Sequence, residues 1–390
     1  MNNVSVNGIT PYKKNAKKHP KKQVQQVADS IKEFGFNQPI VVDKNNVIIV
    51  GHGRFEAAKL LGLEEVPVLQ VDLTEEQANA YRLADNKLNE SEWDMELVVE
   101  ELKDLDLKGF DIELTGFDQD LIIEPDERDD MVPDVPEEPQ SKLGDIYQLG
   151  EHRIMCGDST KLEDVERLMN GQKADLSFTS PPYNVGHNVG GKGDSKYENS
   201  DDDLAEYKEL ITDTTNISLI YAKDVFVNLQ ILANNKRDIL LWLADFANLF
   251  KDIFFWKKQT VQPAMAENVA NSQTEVILLF GAANQSRSWG NQRFRGTFSN
   301  LIETKSASGE NKNAEIHNAT FPVGLPMKFI VEAYKECSLV LDLFIGTGTT
   351  LIAAEKTNRI CYGMELDPKY VDVTIKRWED YTGDTAIKLN

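Results

Sequence analysis

Cysteine is scarce in this chain, and long apolar runs are missing from it. Three cysteines, none in a Cys-x-x-Cys pair, exclude a disulfide framework or a structural zinc site as the organising device. No metal is expected, and a reducing cytoplasm is the expected compartment. No stretch approaches the ~18 consecutive apolar residues of a membrane span. The richest, Ile239 to Phe250, is interrupted by Asp245. The first residues carry lysines with no apolar segment behind them, so no secretory signal is expected.

Positive charge is also in deficit, with a net charge of −22. That deficit does not exclude nucleic acid, because it is localised. Ser91 to Gln140 holds 19 acidic and 3 basic residues, a net of −16, which leaves −6 for the rest of the chain. Basic patches elsewhere can still meet phosphates. What is present is the composition of a folded chain, 41% apolar and 27% charged, and 390 residues suffice for two or three domains.

Residues 1–90 read as a small α/β domain. Val24, Val27, Ile31 and Phe34 have helical spacing over Lys21 to Phe34, with Gly35 as a C-cap. Pro39 to Val42 and Val47 to Val50 read as a hairpin, Phe55 to Leu61 as a helix, Val66 to Val71 as a strand, and Thr74 to Gln77 as a capping box. Residues 91–140 read as an acidic connector: short helices from Trp93 to Ile123, then a linker of four prolines and eight acids from Glu124 to Gln140. From 141 to 390, apolar runs alternate with helical stretches, the pattern of a doubly wound parallel sheet. The expected strands are Ala174 to Thr179, Val225 to Leu229, Ile253 to Trp256, Glu275 to Phe280, Ser338 to Leu343 and Ile360 to Leu366. Ligands bind such sheets at the carboxyl ends of their strands.

Two loops carry chemistry. Leu339 to Thr350 is a buried strand ending in the turn Gly346-Thr-Gly348, where the backbone can approach a ligand closely. Glu365 lies at the end of the next strand, where a carboxylate reaches ribose hydroxyls. A dinucleotide loop would have a third glycine where this chain has Leu351. The strand-end Asp342 matches instead an adenosine ligand carrying an ammonium group, such as S-adenosylmethionine. The second loop is Ser180-Pro-Pro-Tyr183, after the strand ending at Thr179. Two prolines stiffen it and remove two amide donors, leaving a hydroxyl, a free carbonyl and a phenol ring. That set suits a planar base with an exocyclic amine.

Ser180-Pro-Pro-Tyr183 upstream of Asp342-Leu-Phe-Ile-Gly-Thr-Gly348 resembles the amino-methyltransferases of DNA, which act on adenine N6 or cytosine N4. The order of the two loops resembles the circularly permuted β-type group. The resemblance covers Leu143 to Tyr381 and implies S-adenosylmethionine as cofactor and double-stranded DNA as substrate. It implies catalytic roles for Ser180, Pro181, Pro182 and Tyr183. It implies a cofactor site of Asp342, Phe344, Gly346, Gly348, Thr349 and Glu365. Cys156-Gly-Asp-Ser-Thr160 and His317-Asn-Ala-Thr-Phe-Pro322 are similar to that group's adenine and methionine segments, which adds Asp158 and Phe321. Serine at 180 after Thr179 resembles the cytosine-N4 enzymes more than the aspartate usual in adenine-N6 enzymes. Cytosine-C5 chemistry is excluded, since it needs a thiol in the catalytic loop and Cys156, Cys337 and Cys361 lie elsewhere.

DNA contact is expected from the acid-free stretch Val276 to Ile302, where Arg287, Arg293 and Arg295 interleave with Trp289, Phe294 and Phe298. The segment Gly186 to Gly193 reads as a flap over the target base. Lys13, Lys14, Lys17, Lys18, Lys21 and Lys22 form a basic arm suited to a DNA backbone or to plain solvation.

Val50 to Gly62 resembles the Gly-x-x-Arg box of the ParB/sulfiredoxin fold. Gly51, Gly53 and Arg54 make an anion site at a helix start, which in that superfamily holds nucleotide phosphates. His52-Gly53 stands where sulfiredoxin has its cysteine, so redox repair is excluded, and a nucleotide or DNA partner for this domain stays open. ParB-like and methylase modules joined this way resemble phage or prophage proteins of DNA modification and restriction, in a bacterial or phage-infected cytoplasm. A homodimer is left open. Two other readings are a partition or regulatory protein with a non-catalytic methylase scaffold, and an amino-methyltransferase of RNA or protein.

Overall fold

The computed structural model describes residues 2–389 apart from 14, 16, 89–92, 94, 118, 127, 184–206, 259–267, 269, 271, 272, 283–286, 291–297, 305–320, 335 and 336. It divides into two compact units, Met1–Ile123 and Glu124–Asn390. The expected connector is therefore shared between them, its helical part falling in the first unit and its proline-rich part in the second.

In the first unit the chain runs β1 (Asn2–Ser5), α1 (Lys21–Phe34), β2 (Ile40–Val42), β3 (Ile48–Val50), α2 (His52–Leu60), β4 (Glu65–Gln70), α3 (Glu75–Leu88) and α4 (Met95–Leu107). The sheet order is β1-β4-β2-β3, with β2 and β4 parallel and the other pairs antiparallel. The Asp43 carboxylate shapes the β2–β3 turn by accepting the N–H groups of Asn45 and Val47. Over α3 the capping box closes from both sides: Thr74 N–H donates to Gln77 Oε1 at 3.0 Å and Gln77 N–H to Thr74 Oγ1 at 3.3 Å. Ile40, Ile48, Phe55 and Val66 fill the core beneath α2. Phe34 stacks on Phe110 at 6.0 Å, so the acidic but leucine-rich stretch folds back onto its own unit.

The second unit contains β5 (Ile146–Leu149), β6 (His152–Cys156), α5 (Leu162–Met169), β7 (Ala174–Thr179), α6 (Tyr207–Tyr221), β8 (Ala222–Leu229), α7 (Lys236–Asp245), β9 (Phe250–Lys257) and β10 (Thr274–Gly281). It continues with β11 (Leu301–Glu303), α8 (Gly324–Ala333), β12 (Leu339–Asp342), α9 (Thr349–Lys356), β13 (Ile360–Glu365), α10 (Pro368–Thr382) and β14 (Ile387–Lys388). The ten-stranded sheet has the order β11-β9-β10-β8-β7-β12-β13-β6-β5-β14. Its centre, β8-β7-β12-β13-β6, is parallel, and β10 lies antiparallel between β8 and β9. From β7 the chain crosses to β8 on one side; from β12 it crosses to β13 on the other. The sheet therefore reverses its winding between β7 and β12, and right-handed crossovers place α6 and α9 on opposite faces. Val225, Val227, Leu278 and Leu341 pack on the α6 and α7 side, while Phe178, Phe226 and Phe254 meet Phe329 of α8.

Glu124 to Gln140 has no regular element, as its prolines dictate, but it is bound along its length. Asp129 is fully buried, with Lys356 Nζ 3.0 Å from its carboxylate and 3.1 Å from that of Asp126. Arg377 donates to the Asp129 carbonyl at 2.6 Å, and Asp130 accepts the Val323 N–H ahead of α8 at 2.8 Å. Acids that read as a linker are thus partners of buried cations and of a helix start, on residues 193 to 230 positions away.

Candidate active site

The crevice lies where β7 and β12 end side by side. Thr179 Oγ1 donates to Asp342 Oδ1 at 2.9 Å, and the Phe344 N–H donates to the same oxygen at 3.0 Å. Asp342 is buried, which pushes its carboxyl up to about 6 against the pull of those hydrogen bonds. The acid at the end of β12 ties the start of one loop to the end of the other strand.

The glycine loop is held from two directions. Gly346 and Gly348 adopt φ of 53° and 85°, the left-handed region that glycine occupies without strain. Gly346 N–H donates to Glu365 Oε2 at 3.1 Å, and Asp367 N–H donates to Oε1 at 2.9 Å. Burial raises the Glu365 carboxyl to about 7. From α10, Thr374 Oγ1 donates to the Gly346 carbonyl at 2.8 Å, and the buried Arg377 donates to the Thr347 carbonyl at 2.9 Å and to Thr349 Oγ1 at 3.3 Å. A Cβ on Gly348 would lie 2.8 Å from Thr374, whereas one on Gly346 would meet nothing nearer than the Phe344 carbonyl at 3.9 Å. The loop is closely backed on α10 and open beside Gly346. Leu351, at the place of the missing third glycine, is a fully buried core residue of α9.

Asp158 follows β6, whose Cys156 is in register with Glu365. Burial opposes its ionisation, but hydrogen bonds from Thr160 and the Lys161 ammonium outweigh this and hold its carboxyl below the ordinary value. Asp158, Glu365, Asp342 and the loop Phe344 to Thr349 thus gather along the carboxyl ends of β6, β13 and β12. Phe321 packs edge-on to Phe178, with ring centroids 5.6 Å apart. His317 lies outside the described residues.

The second loop starts directly after Thr179. Pro181 is buried, and Ser180 and Tyr183 are half-buried. The Tyr183 ring packs against the core, and its hydroxyl donates to Glu275 Oε2 at 2.8 Å. Asn228, at the end of β8, donates through Nδ2 to Tyr183 Oη at 3.0 Å and to Glu275 Oε2 at 2.9 Å. Ser180 Oγ lies 3.2 Å from Tyr183 Oη and 3.2 Å from the Asn228 carbonyl, to which it donates. Lys258 Nζ closes the group, 2.5 Å from Glu275 Oε1. Asn235, fully buried, donates to the Tyr183 carbonyl at 2.5 Å and fixes the loop from behind. Burial, then the Glu275 charge, raises the Tyr183 phenol well above its ordinary value, so it stays protonated.

Sequence reasoning missed Asn228, Asn235, Lys258 and Glu275. A signal existed for the last: it is the one acid in the apolar strand Thr274 to Gly281, and a lone acid in such a run needs a partner. Arg287 is not brought to the crevice. It pairs with Asp252 at 2.5 Å near the start of β9, whereas Lys257 marks the crevice end of that strand. Trp289 is buried among Phe226, Phe254 and Phe329, which leaves it no face for a base. Arg293, Arg295, Phe294 and the expected flap from 186 to 193 lie outside the described residues.

In the first unit, Gly51 has φ 101° and starts α2, as an anion-binding turn requires. Arg54 folds back toward Gly51 and bonds Gln38, and burial lowers its guanidinium against the pull of Asp85. His52 Nε2 accepts the Tyr12 N–H at 3.2 Å, and burial, with His19 and Arg82 nearby, lowers it to about 4. It is a neutral hydrogen-bond acceptor at the first position of α2, where a loop residue was expected.

The second unit matches the family described as DNA methylase over residues 174–376, just over half the chain. The chain belongs to the DNA methylase family. The first unit matches the ParB N-terminal domain over residues 1–87. The chain is similar to the ParB-like nuclease domain-containing protein YnaK of Escherichia coli (strain K12), 44% identical over 70 residues, 18% of this chain and 80% of that protein. It is similar to the type II methyltransferase M.Cfr9I of Citrobacter freundii, 28% identical over 132 residues, 31% of this chain but only 42% of that enzyme. Among solved structures it is similar to the PvuII DNA methyltransferase (cytosine-N4-specific), with 18% identity, 63% of this chain and 90% of that one covered, and a TM-score of 0.44. Among the described residues no helix is long and apolar enough to cross a membrane.

Proposed function

We propose that this methylase transfers a methyl group from S-adenosylmethionine to the exocyclic amine of a base extruded from double-stranded DNA, with cytosine N4 favoured over adenine N6. The observation that carries the proposal is the Thr179–Asp342 bond, which places an open glycine loop and a rigid Ser-Pro-Pro-Tyr corner at one switch point. Glu365 and Asp158 would hold the ribose and the adenine, the space beside Gly346 would take the rest of the cofactor, and Asp342 and Thr349 would shape that space. Phe344 and Phe321 would supply apolar walls. When bound, the cofactor supplies an activated methyl group. Ser180 Oγ and the Pro181 carbonyl would accept the amine hydrogens, Pro182 would keep the corner stiff, and Tyr183, its hydroxyl tethered, would offer a fixed ring face to the base. Arg293 and Arg295 stay proposed DNA contacts. For the first unit we propose a nucleotide phosphate at Gly51, Gly53 and Arg54.

Incubation with labelled S-adenosylmethionine and duplex DNA, followed by nucleoside mass spectrometry, tests the reading. N4-methyldeoxycytidine is the expected product, and N6-methyldeoxyadenosine would keep the reaction and change the base. Unlabelled DNA with labelled RNA or protein would move the substrate class. Binding of DNA with no methyl transfer to any of the three would leave the scaffold reading.

A further inference from the structure

Hydrogen-bond direction between Asn228, Tyr183 and Glu275 follows from their donor sets. Glu275 carries only acceptors toward the group, so Asn228 must turn Nδ2 toward it at 2.9 Å; the flipped amide would set two acceptors face to face. The single Tyr183 proton is committed to Glu275 at 2.8 Å. Tyr183 Oη can therefore only accept from Ser180, at 3.2 Å, and from Asn228. The Tyr183 and Asn228 protons both point toward Glu275, and Ser180 lies within donating distance of Tyr183. Ser180, whose one proton goes to Tyr183 or to the Asn228 carbonyl, also lies 3.4 Å from Asn228 Nδ2 and keeps acceptor capacity on Oγ.

Amine methylation needs such a direction. When the cofactor is bound, the amine lone pair forms the N–C bond, the S–C electron pair returns to sulfur, and the nitrogen is left with one proton in excess. We propose that Glu275 is the terminal acceptor of that proton, reached through the Ser180 and Tyr183 hydroxyls; this rests on the methylation reading above. The amine N–H proton passes to Ser180 Oγ, the Ser180 proton to Tyr183 Oη, and the Tyr183 proton to Glu275 Oε2. A neutral methylated amine, two hydroxyls and a carboxylic acid result. Glu275 is 5% exposed, so its carboxylate meets the Tyr183 hydroxyl away from bulk water. Lys258, with its side chain 26% exposed, balances the resting carboxylate and opens the pair to solvent, where the proton is returned. Glu275 acts through Tyr183 and touches no substrate atom, so it is a positioning and proton-accepting residue on β10, behind the Ser180–Tyr183 loop.

The experiment compares the parental chain with Glu275→Gln and Tyr183→Phe. The first keeps an acceptor for Tyr183 but cannot hold the proton; the second keeps the ring and breaks the series. Each should slow single-turnover methylation of duplex DNA by ~10²-fold, the usual share of a proton-transfer group. Dissociation constants for S-adenosylmethionine and DNA should stay within about twofold, and the double variant should be no slower than the worse single one. The parental rate should fall in D₂O, and the variants should lose that dependence. A readout without cofactor or DNA is tyrosinate absorbance, with Tyr183 isolated by subtracting the Tyr183→Phe spectrum: Glu275→Gln should bring its ionisation to lower pH. Glu275→Gln and Tyr183→Phe enzymes with parental rates and isotope effects would overturn the proposal while leaving methylation intact. If Glu275→Gln does not fold, Tyr183→Phe alone decides. No methylation of DNA by the parental chain would instead overturn the reading beneath it.

Discussion

Thr179 Oγ1 and Asp342 Oδ1, 2.9 Å apart, join residues 163 positions distant in the chain and connect the two loops of the proposed active site. Replacing the hydroxyl by a methyl tests that connection. Thr179→Val should cost ~1–2 kcal/mol of stability, the value of a buried hydrogen bond whose acceptor is left short of a donor. It should also raise the Asp342 carboxyl further, since this bond is among those opposing burial. Urea unfolding at two pH values reads both effects.

Cofactor affinity should depend on pH through Glu365. Its carboxyl sits at about 7 in the folded chain, so it is largely protonated below that value. If the carboxylate accepts ribose hydroxyls, S-adenosylmethionine binding strengthens as pH rises through about 7. The stability of the free chain moves the other way: a raised acid is most favourable below its unfolded value, and that advantage is lost as pH rises through about 7. Glu365→Ala should weaken binding by ~1.5–3 kcal/mol. Calorimetry across pH 5.5 to 8, on parental and variant chains, is the measurement; unchanged affinity in a folded Glu365→Ala chain would remove this residue from the site.

Ser180→Ala should leave DNA and cofactor binding close to parental while lowering single-turnover methylation by ~10²-fold, as for other polar contacts made chiefly in the transition state. Tyr183→Ala should also weaken binding of DNA with an extruded base, by ~1–3 kcal/mol. A Ser180→Ala enzyme at the parental rate would leave the Pro181 carbonyl as the principal acceptor.

The segment from Glu124 to Asp130 should behave as part of the cofactor support. Arg377 links the Asp129 carbonyl to the Thr347 carbonyl, and burial lowers its guanidinium to about 10 against the pull of Asp130 and Asp129. Arg377→Met should destabilise the second unit by ~3 kcal/mol, as when one partner of a buried charged group is removed. Asp129→Ala, which leaves Lys356 without a buried partner, should act in the same direction. Thermal unfolding with and without S-adenosylmethionine checks both; a freely solvated linker would show neither effect.

Arg54→Ala should abolish nucleoside triphosphate binding by the first unit without affecting cofactor affinity, measured by calorimetry with each ligand. Equal triphosphate binding by parental and variant chains would return Arg54 to a structural role with Gln38.

Local patterning was enough to find most of the elements. Lys21–Phe34 and Ala174–Thr179 were bounded to the residue, because the apolar period and the flanking Gly35 and Pro181 lie within a few positions. Ser180-Pro-Pro-Tyr183, Gly346-Thr-Gly348 and Glu365 were legible for the same reason: each is a short motif at a strand end. The partners of these motifs were not. Glu275 meets Tyr183 across 92 positions, Lys356 meets Asp126 across 230, and Trp289 is enclosed by aromatic rings from three elements and the Phe298 loop. By itself the sequence determined most of the elements, their order and the two candidate loops, since backbone preference and period act over neighbouring residues. Only the tertiary structure decided which acids are linker and which are ion-pair partners, which aromatics are core, and which groups meet the Tyr183 hydroxyl. Burial and hydrogen-bond direction are properties of residues brought together by the sheet, and no local pattern encodes them.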